Sequence, residues 1–92
     1  MNIRFYIDPE TDLPHIYNHN VSEEEVDDIL RNPGVQSLGS EGSRIAVGQT
    51  QSGRHLRVIF KRDPDMDSIF VITAYEIRGQ SLKTYRRRKQ GK

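Results

Sequence analysis

The stretch that decides the fold is Arg44–Lys61, RIAVGQTQSGRHLRVIFK, in which two strand-like segments flank a short loop. Residues 44–50 predict one strand and residues 54–61 the next. Gln51-Ser52-Gly53 predicts the hairpin loop between them, since Gly53 is able to adopt a positive φ. In the second segment, Leu56, Val58 and Phe60 face one way, while His55, Arg57 and Lys61 face the other. We therefore expect an antiparallel hairpin with one face on a core, formed by Leu56, Val58 and Phe60.

Upstream of this hairpin, the sequence marks the start and the end of a helix. Ser22 is a suitable N-cap, and Glu25 three residues later completes a capping box. Val21 and Val26 occupy the two positions of a hydrophobic staple. Asn32-Pro33-Gly34 ends the apolar periodicity. A helix beginning after Ser22 and ending before Pro33 is the prediction.

The flanking segments complete an α+β plan. Residues 3–7 predict a first strand, and residues 8–14 a turn. Residues 63–67 predict a further turn, and Ser68–Tyr75 is apolar on both faces, which is typical of a central strand. A short C-terminal helix is expected from Gly79 or Ser81. The predicted order is strand, helix, three or four antiparallel strands, helix: a small antiparallel sheet with an N-terminal and a C-terminal helix packed on it.

The length of 92 residues indicates a single domain, residues 1–92. The chain has no cysteine, which excludes disulfides and thiolate metal sites. Neither a signal peptide nor an apolar run long enough to cross a bilayer is seen, so a cytoplasmic location is expected and no membrane partner.

Charge is segregated along the chain although the net charge is only +1. Acidic residues dominate the first third, whereas the last ten residues are basic without an acid. This asymmetry favours a polyanion such as RNA as partner, and the alternative is a solvated, frayed tail at residues 86–92. The candidate RNA-binding residues are Arg44, Arg78, Lys83, Arg86, Arg87 and Arg88.

The polar face of the second hairpin strand carries the candidate chemistry. His55, Arg57 and Lys61 share this face, spaced about 6–7 Å for every two residues. Arg54 precedes the strand, and Arg44 on the neighbouring strand is expected near the same face. Guanidinium groups suit phosphates because they donate two parallel hydrogen bonds. An ordinary solvated sheet face is the competing interpretation.

Aromatic and histidine residues add further candidates. Tyr75, at the end of the predicted central strand, is equally suited to act on RNA or to be half-buried. Tyr85 is better explained as core. His15 and His19 are four residues apart, but Pro14 argues against a helix there, and no third metal ligand is evident. Asp63, Asp65 and Asp67 fail the calcium-loop pattern. No metal and no cofactor are predicted.

The motifs together resemble the BrnT-type branch of the RelE-like toxins, the ribonucleases of bacterial type II toxin–antitoxin pairs. The similarity lies in HNVSEEE at 19–25, in the Arg44–Gly48 segment followed by TQSGR at 50–54, in LRVIF at 56–60, in ITAY at 72–75, and in the Arg-rich C-terminal helix. The sequence departs from the family pattern at Asn18 and Asn20, and Tyr75 stands where the family has a candidate catalytic arginine.

The resemblance implies a RelE-like fold, metal-independent RNA cleavage and a cognate antitoxin. In this hypothesis Arg54 and Arg57 hold the scissile phosphate, while His55, Lys61 and Tyr75 assist proton transfer or stacking. The alternative hypothesis is a non-catalytic RNA-binding or regulatory module with a toxin-like fold. The sequence leaves the RNA sequence preference, the ribosome dependence and the oligomeric state open.

Overall fold

In the computed structural model, which describes residues 2–63 and 67–90, the predicted helix start is observed at Ser22. Helix α1 spans Glu23–Arg31. Ser22 Oγ accepts a hydrogen bond from the Glu25 amide at 3.2 Å, and Glu25 Oε1 accepts one from the Ser22 amide at 3.0 Å. Val21 and Val26 are both buried. The capping box is thus confirmed, and it satisfies two of the amide groups that a helix start leaves without partners.

The hairpin predicted from residues 44–61 is also confirmed. Strand β5 spans Arg44–Gln49 and β6 spans His55–Asp63, so the boundaries differ from the prediction by one or two residues. Gly53 has a φ of 98°, which a glycine adopts without the steric cost of a Cβ. Leu56, Val58 and Phe60 are buried against α1.

The remaining elements are short at the N-terminus and long at the C-terminus. The first predicted strand is interrupted at Tyr6. The segment expected to be a turn, residues 8–14, belongs to a small hairpin whose two strands have two residues each. A 3-10 segment then leads to α1. The bounds are β1 Asn2–Phe5, β2 Ile7–Asp8, β3 Leu13–Pro14, the 3-10 segments His15–His19 and Ser40–Gly42, β4 Val35–Leu38, β7 Ser68–Glu76 and α2 Gly79–Gln90.

The main sheet has five strands in the order β1-β7-β6-β5-β4. Two expectations need correction. The sheet is mixed, because β1 pairs in parallel with β7 while the other pairs are antiparallel. Alternation in a single strand carries no information about direction, which its partner sets. The middle strand is β6, and β7 lies between it and β1.

A β-bulge explains why the buried residues of β7 do not alternate regularly. Ile59 lies opposite Thr73, but Phe60 lies opposite Val71, so Ile72 is the extra residue on β7. The bulge shifts the alternation of β7 by one position. Val71 and Ala74 are therefore both fully buried.

The two helices cover opposite faces of the sheet, which makes three layers. Helix α1 packs on the face of Val58, where the main core lies. Helix α2 packs on the other face, where Leu82 and Tyr85 meet Val47 and Ile77. The molecule is a mixed α+β domain with a five-stranded sheet and two helices, one of them C-terminal. In the described part of the chain, no helix has the length and apolarity needed to cross a membrane.

Two predictions fall partly outside the described residues. Residues 64–66 of the turn at 63–67, including Asp65, and residues 91 and 92 of the basic segment 86–92 lie outside them. Within that segment, α2 continues through residues 86–90. The basic side chains from Arg86 to Lys89 are thus presented on a helix.

Candidate nucleic-acid interface

Arg54 has different partners from those that the sequence suggested. Its Nη1 donates to both carboxylate oxygens of Glu25, each at 2.8 Å, and to the carbonyl oxygen of Asn20 at 2.9 Å. Its Nη2 donates to Glu76 Oε1 at 3.3 Å. Arg54 precedes β6 and lies on the side of α1, because even-numbered residues of this segment face α1. Its guanidinium joins α1 to the end of β7.

The electrostatics of Arg54 agree with a structural role. Burial alone lowers the pKa of Arg54, but the hydrogen bond and charge of Glu25, followed by those of Glu76, raise the pKa above its ordinary value on balance. A cation already neutralised by two carboxylates has little capacity left for a phosphate. The expected grouping of Arg54 with Arg57 is therefore not observed.

A cavity of about 400 Å³ lies beside Arg54, on the α1 side of the sheet. It is lined by Tyr17, Asn20, Val21, Ser22, Glu25 and Arg54. Its polar groups are mostly engaged in the capping box and the Arg54 contacts. The Glu25 carboxylate disfavours a phosphate in this cavity, so we do not place the RNA site here.

Arg44 also lies on the α1 side of the sheet. It pairs with Phe60 across the β5–β6 ladder, and directly opposite residues of an antiparallel pair share a face. The expectation that Arg44 lies near His55 and Arg57 is thus corrected. Its side chain is exposed, so it remains available to solvent.

Arg57 and Tyr75 form the central contact on the α2 side. The two residues lie directly opposite each other on β6 and β7. Arg57 Nη1 donates to the Tyr75 hydroxyl at 3.2 Å, and its guanidinium carbon lies 5.8 Å from the Tyr75 ring centroid. No carboxylate within residues 2–63 and 67–90 forms an ion pair with Arg57. The positive charge of Arg57 is therefore not neutralised by an ion pair in this part of the chain, and Tyr75 fixes the position of its guanidinium group.

His19 joins this pair from a distant part of the sequence. Its ring centroid lies 6.0 Å from that of Tyr75 and 5.2 Å from that of His15, both in edge-to-face geometry. Strand β1 ends at Phe5, opposite Val71, and the 3-10 segment His15–His19 occupies the space beside the rest of β7. The sequence alone does not indicate this contact, because His19 and Tyr75 are far apart in the chain.

His15 is fixed by its neighbours. Its Nδ1 lies 3.3 Å from Asp8 Oδ2, and Asn18 Nδ2 donates to the same carboxylate oxygen at 2.6 Å. The backbone amide of Glu10 and then the contact with His15 lower the pKa of Asp8. Across residues 2–63 and 67–90, no three His, Cys, Asp or Glu side chains are grouped so as to hold a metal ion.

His55 lies on the same face of β6 as Arg57 but beneath α2. Its ring contacts that of Tyr85, with centroids 5.6 Å apart. Burial lowers the pKa of His55, and the charges of Arg86 and Lys89 lower it further, whereas Glu76 acts in the opposite direction. Tyr85 itself is only 6% exposed, in agreement with the core role expected from the sequence.

Lys61 lies farther along β6. It is exposed and pairs with Phe70. It lies four positions beyond Arg57 on the strand, a distance of about 13 Å. Lys61 is therefore not part of the cluster around Tyr75.

The basic residues of α2 are exposed and lie beside this face. Arg78 precedes the helix, is 81% exposed and pairs with Glu76 at 3.3 Å. Among the described residues, the other basic side chains of α2 form no ion pair. These residues are Lys83, Arg86, Arg87, Arg88 and Lys89. Arg88 lines a small cavity with Arg57, and Arg86 and Lys89 line another with His55, so part of this positive charge lies beside these residues.

The site is thus a basic surface on a mixed α+β domain, with a histidine, an arginine and a tyrosine at its centre. Comparison of the chain with protein-family models, with curated proteins and with solved structures finds no match. The function is therefore inferred from the geometry and the sequence motifs.

Proposed function

We propose that this protein is a metal-independent endoribonuclease whose reaction centre is formed by Arg57, Tyr75 and His19. The observation that carries the proposal is the Arg57–Tyr75 hydrogen bond of 3.2 Å on the basic side of the sheet. It brings a phosphate-binding cation and a proton donor to one point. His19 adds a proton acceptor beside the same tyrosine.

RNA cleavage needs no metal, because the nucleophile belongs to the substrate. The 2′-hydroxyl attacks the adjacent phosphorus, a 2′,3′-cyclic phosphate forms, and the bond to the 5′-oxygen breaks. His19 accepts the proton of the 2′-hydroxyl, and Tyr75 donates its proton to the departing 5′-oxygen. Arg57 stabilises the negative charge that develops on the phosphate oxygens. Its hydrogen bond to the Tyr75 oxygen leaves the phenolic proton free for transfer.

Helix α2 supplies the affinity for the RNA backbone. Its exposed cations offset phosphate charge and release counterions, so binding weakens as salt rises. These contacts are independent of sequence and position the chain over the reaction centre.

The biological role in this proposal is that of the toxin of a type II toxin–antitoxin pair, acting in the cytoplasm. The support is the sequence resemblance to the BrnT-type branch of the RelE-like toxins. An antitoxin with an acidic segment is complementary to the basic surface of α2, since opposite charges steer association. The same segment covers the approach to Arg57.

The test is cleavage of end-labelled RNA by the purified chain in the presence of EDTA. We expect discrete cuts with wild type and none with Arg57→Ala. The matched control is Arg31→Ala, because Arg31 is an exposed arginine of α1 on the other side of the sheet. Circular dichroism checks that both variants are folded. Cuts of wild-type strength with folded Arg57→Ala would exclude this reaction centre.

A non-catalytic RNA-binding module is the second candidate. It is favoured by the cluster of basic residues on α2, which lies outside the reaction centre and consists of Lys83, Arg86, Arg87, Arg88 and Lys89. A binding module requires the cations but no proton transfer. Salt-sensitive RNA binding without cut ends, under the same conditions, would select this candidate.

A further inference from the structure

A small cavity separate from the Arg57–Tyr75 pair lies between the start of β6 and α2. It has a volume of about 170 Å³ and is lined by Gln49, His55, Tyr85, Arg86 and Lys89. Strand β5 ends at Gln49, β6 begins at His55, and the other three residues lie within two turns of α2. Three elements of the fold thus hold the lining in place.

The lining of this cavity includes a buried aromatic residue, Tyr85. Tyr85 is buried, and its ring contacts His55 from one side. The Lys89 ammonium lies 5.9 Å from the centroid of the same ring. A cation over an aromatic face is held by the ring quadrupole. Lys89 is therefore positioned over the cavity by Tyr85.

The cavity carries positive charge without a compensating carboxylate in its lining. Within residues 2–63 and 67–90, neither Arg86 nor Lys89 forms an ion pair. Glu76 is the acidic group that acts on His55, and its Oε1 is already engaged by Arg54 and Arg78. The charges of Arg86 and Lys89 also lower the pKa of His55, in agreement with their place in the lining of this cavity.

We propose that this cavity is a second subsite that binds a phosphate group of the RNA, through Arg86, Lys89 and His55. The inference rests on the proposed function and deepens it. The volume is below the range of about 300–1,000 Å³ that is typical of pockets for larger organic ligands, so it suits a phosphate rather than a whole nucleotide. A guanidinium and an ammonium supply charge-assisted hydrogen bonds to the phosphate oxygens.

The position of the subsite sets a register for the RNA. His55 and Arg57 are two residues apart on one face of β6, a separation of about 6–7 Å. Tyr85 lies between them, since it lines both this cavity and the small cavity beside Arg57. A phosphate in the subsite therefore places a nearby phosphate of the same strand at Arg57.

The first experiment titrates inorganic phosphate into the full chain and follows the imidazole signals of His55 by NMR. The pKa of His55 is lowered in the free protein, and a bound dianion raises it. We expect saturable shifts of His55 and a rise of its pKa. Potassium chloride at the same ionic strength is the control for screening. Absence of a phosphate-specific shift would overturn the proposal.

Two double variants of equal charge change give the matched comparison. Arg86→Gln with Lys89→Gln removes the cations of the cavity and is expected to weaken phosphate binding about tenfold or more. Lys83→Gln with Arg87→Gln removes two exposed cations of α2 outside the lining and is expected to weaken phosphate binding much less. An equal loss of phosphate binding in the two double variants would show that phosphate is attracted only by the overall charge of α2. That result would overturn the subsite.

A second arm distinguishes RNA from free phosphate as the source of the group. Binding of labelled single-stranded RNA is measured by fluorescence anisotropy for the same two double variants. A larger loss for the Arg86 and Lys89 pair supports the RNA subsite. Equal losses despite specific phosphate binding would assign the cavity to free phosphate and overturn the RNA assignment. Neither arm requires cleavage, so loss of cleavage in Arg57→Ala tests the proposed function independently.

Discussion

Arg54 holds Glu25 by two hydrogen bonds of 2.8 Å from a single guanidinium nitrogen. Glu25 is at the same time the residue that closes the capping box by accepting from the Ser22 amide. The helix start and the sheet are therefore joined at one carboxylate. Arg54 also donates to Glu76, so the end of β7 belongs to the same network.

This network predicts that Arg54→Ala affects stability rather than RNA contact. The side chains of Arg54 and Glu25 are 26% and 19% exposed, so the pair is shielded from solvent but not fully buried. We expect the free energy of unfolding to fall by about 1–3 kcal/mol, because charged hydrogen-bonding groups lose their partners. Urea unfolding followed by circular dichroism measures this change.

The control for that substitution is Arg78→Ala. Arg78 pairs with the same Glu76 oxygen but is 81% exposed. Exposed ion pairs contribute about 0–1 kcal/mol, so the loss is expected to be small. RNA affinity close to wild type in folded Arg54→Ala would agree with the structural role. Strong loss of RNA binding without loss of stability would contradict it.

The features that the sequence predicted well are local ones. The capping box depends on Ser22 and Glu25, which are three residues apart, and the hairpin depends on alternation and on Gly53. Each signal is complete within a few residues, because helix caps and turns are set by neighbouring backbone and side-chain groups. These elements therefore formed where expected.

The features that the sequence did not predict depend on distant partners. The parallel pairing of β1 with β7 joins residues 2–5 to residues 68–71. The partners of Arg54 and the contact of His19 with Tyr75 are likewise non-local. A polar residue in a strand pattern indicates that its side chain points away from the core. The pattern does not indicate whether a helix such as α2 covers that face, so the contact of His55 with Tyr85 could not be predicted.

Gly34→Ala is predicted to disturb the docking of α2. A Cβ at Gly34 would overlap the Tyr85 hydroxyl and lie within about 3.1 Å of two ring carbons. Overpacking of this kind costs about 1–3 kcal/mol. We expect a lower free energy of unfolding, measured by urea unfolding, and altered NMR signals of His55, which contacts the same ring.

Tyr85→Phe provides the internal control for this prediction. It removes the hydroxyl that a Cβ at Gly34 would meet first, so Gly34→Ala is expected to cost less in the Tyr85→Phe background. A double-mutant cycle of the four proteins gives the coupling free energy. A coupling near zero would contradict the close approach of α2 to Gly34.

Stability is predicted to fall as the pH falls below the ordinary histidine pKa of 6.5, because burial and then Arg86 and Lys89 lower the pKa of His55. The unfolded chain binds a proton at a pH where folded His55 is still neutral, so protonation favours unfolding. We expect the free energy of unfolding to decrease between about pH 7 and about pH 5, and the decrease to be smaller in His55→Gln.

Two charge variants test the cause of this pH dependence. Lys89→Gln removes one of the cations acting on His55 and is expected to reduce the dependence of stability on pH, whereas Lys83→Gln is expected to leave this dependence unchanged.

The pKa of Glu76 is also lowered, chiefly by its hydrogen bond with Arg78. That carboxylate stabilises the folded chain above its ordinary pKa of 4.5, and its contribution is lost at lower pH, outside the histidine window. An identical slope in His55→Gln and wild type would contradict the role of His55.

Tyr75→Phe is predicted to separate RNA cleavage from RNA binding. The substitution removes the hydroxyl that accepts from Arg57 at 3.2 Å but keeps the ring that contacts His19. Loss of a general acid lowers the cleavage rate by about 10²–10⁴-fold. RNA affinity is expected to stay near that of wild type, because the cations of α2 are intact. Tyr17→Phe is the matched control. The Tyr17 hydroxyl donates to Glu23 Oε1 at 2.6 Å, and Tyr17 lines the cavity on the α1 side of the sheet. Cleavage by Tyr75→Phe at the wild-type rate would remove Tyr75 from the chemistry and leave Arg57 and His19 to act with another proton donor.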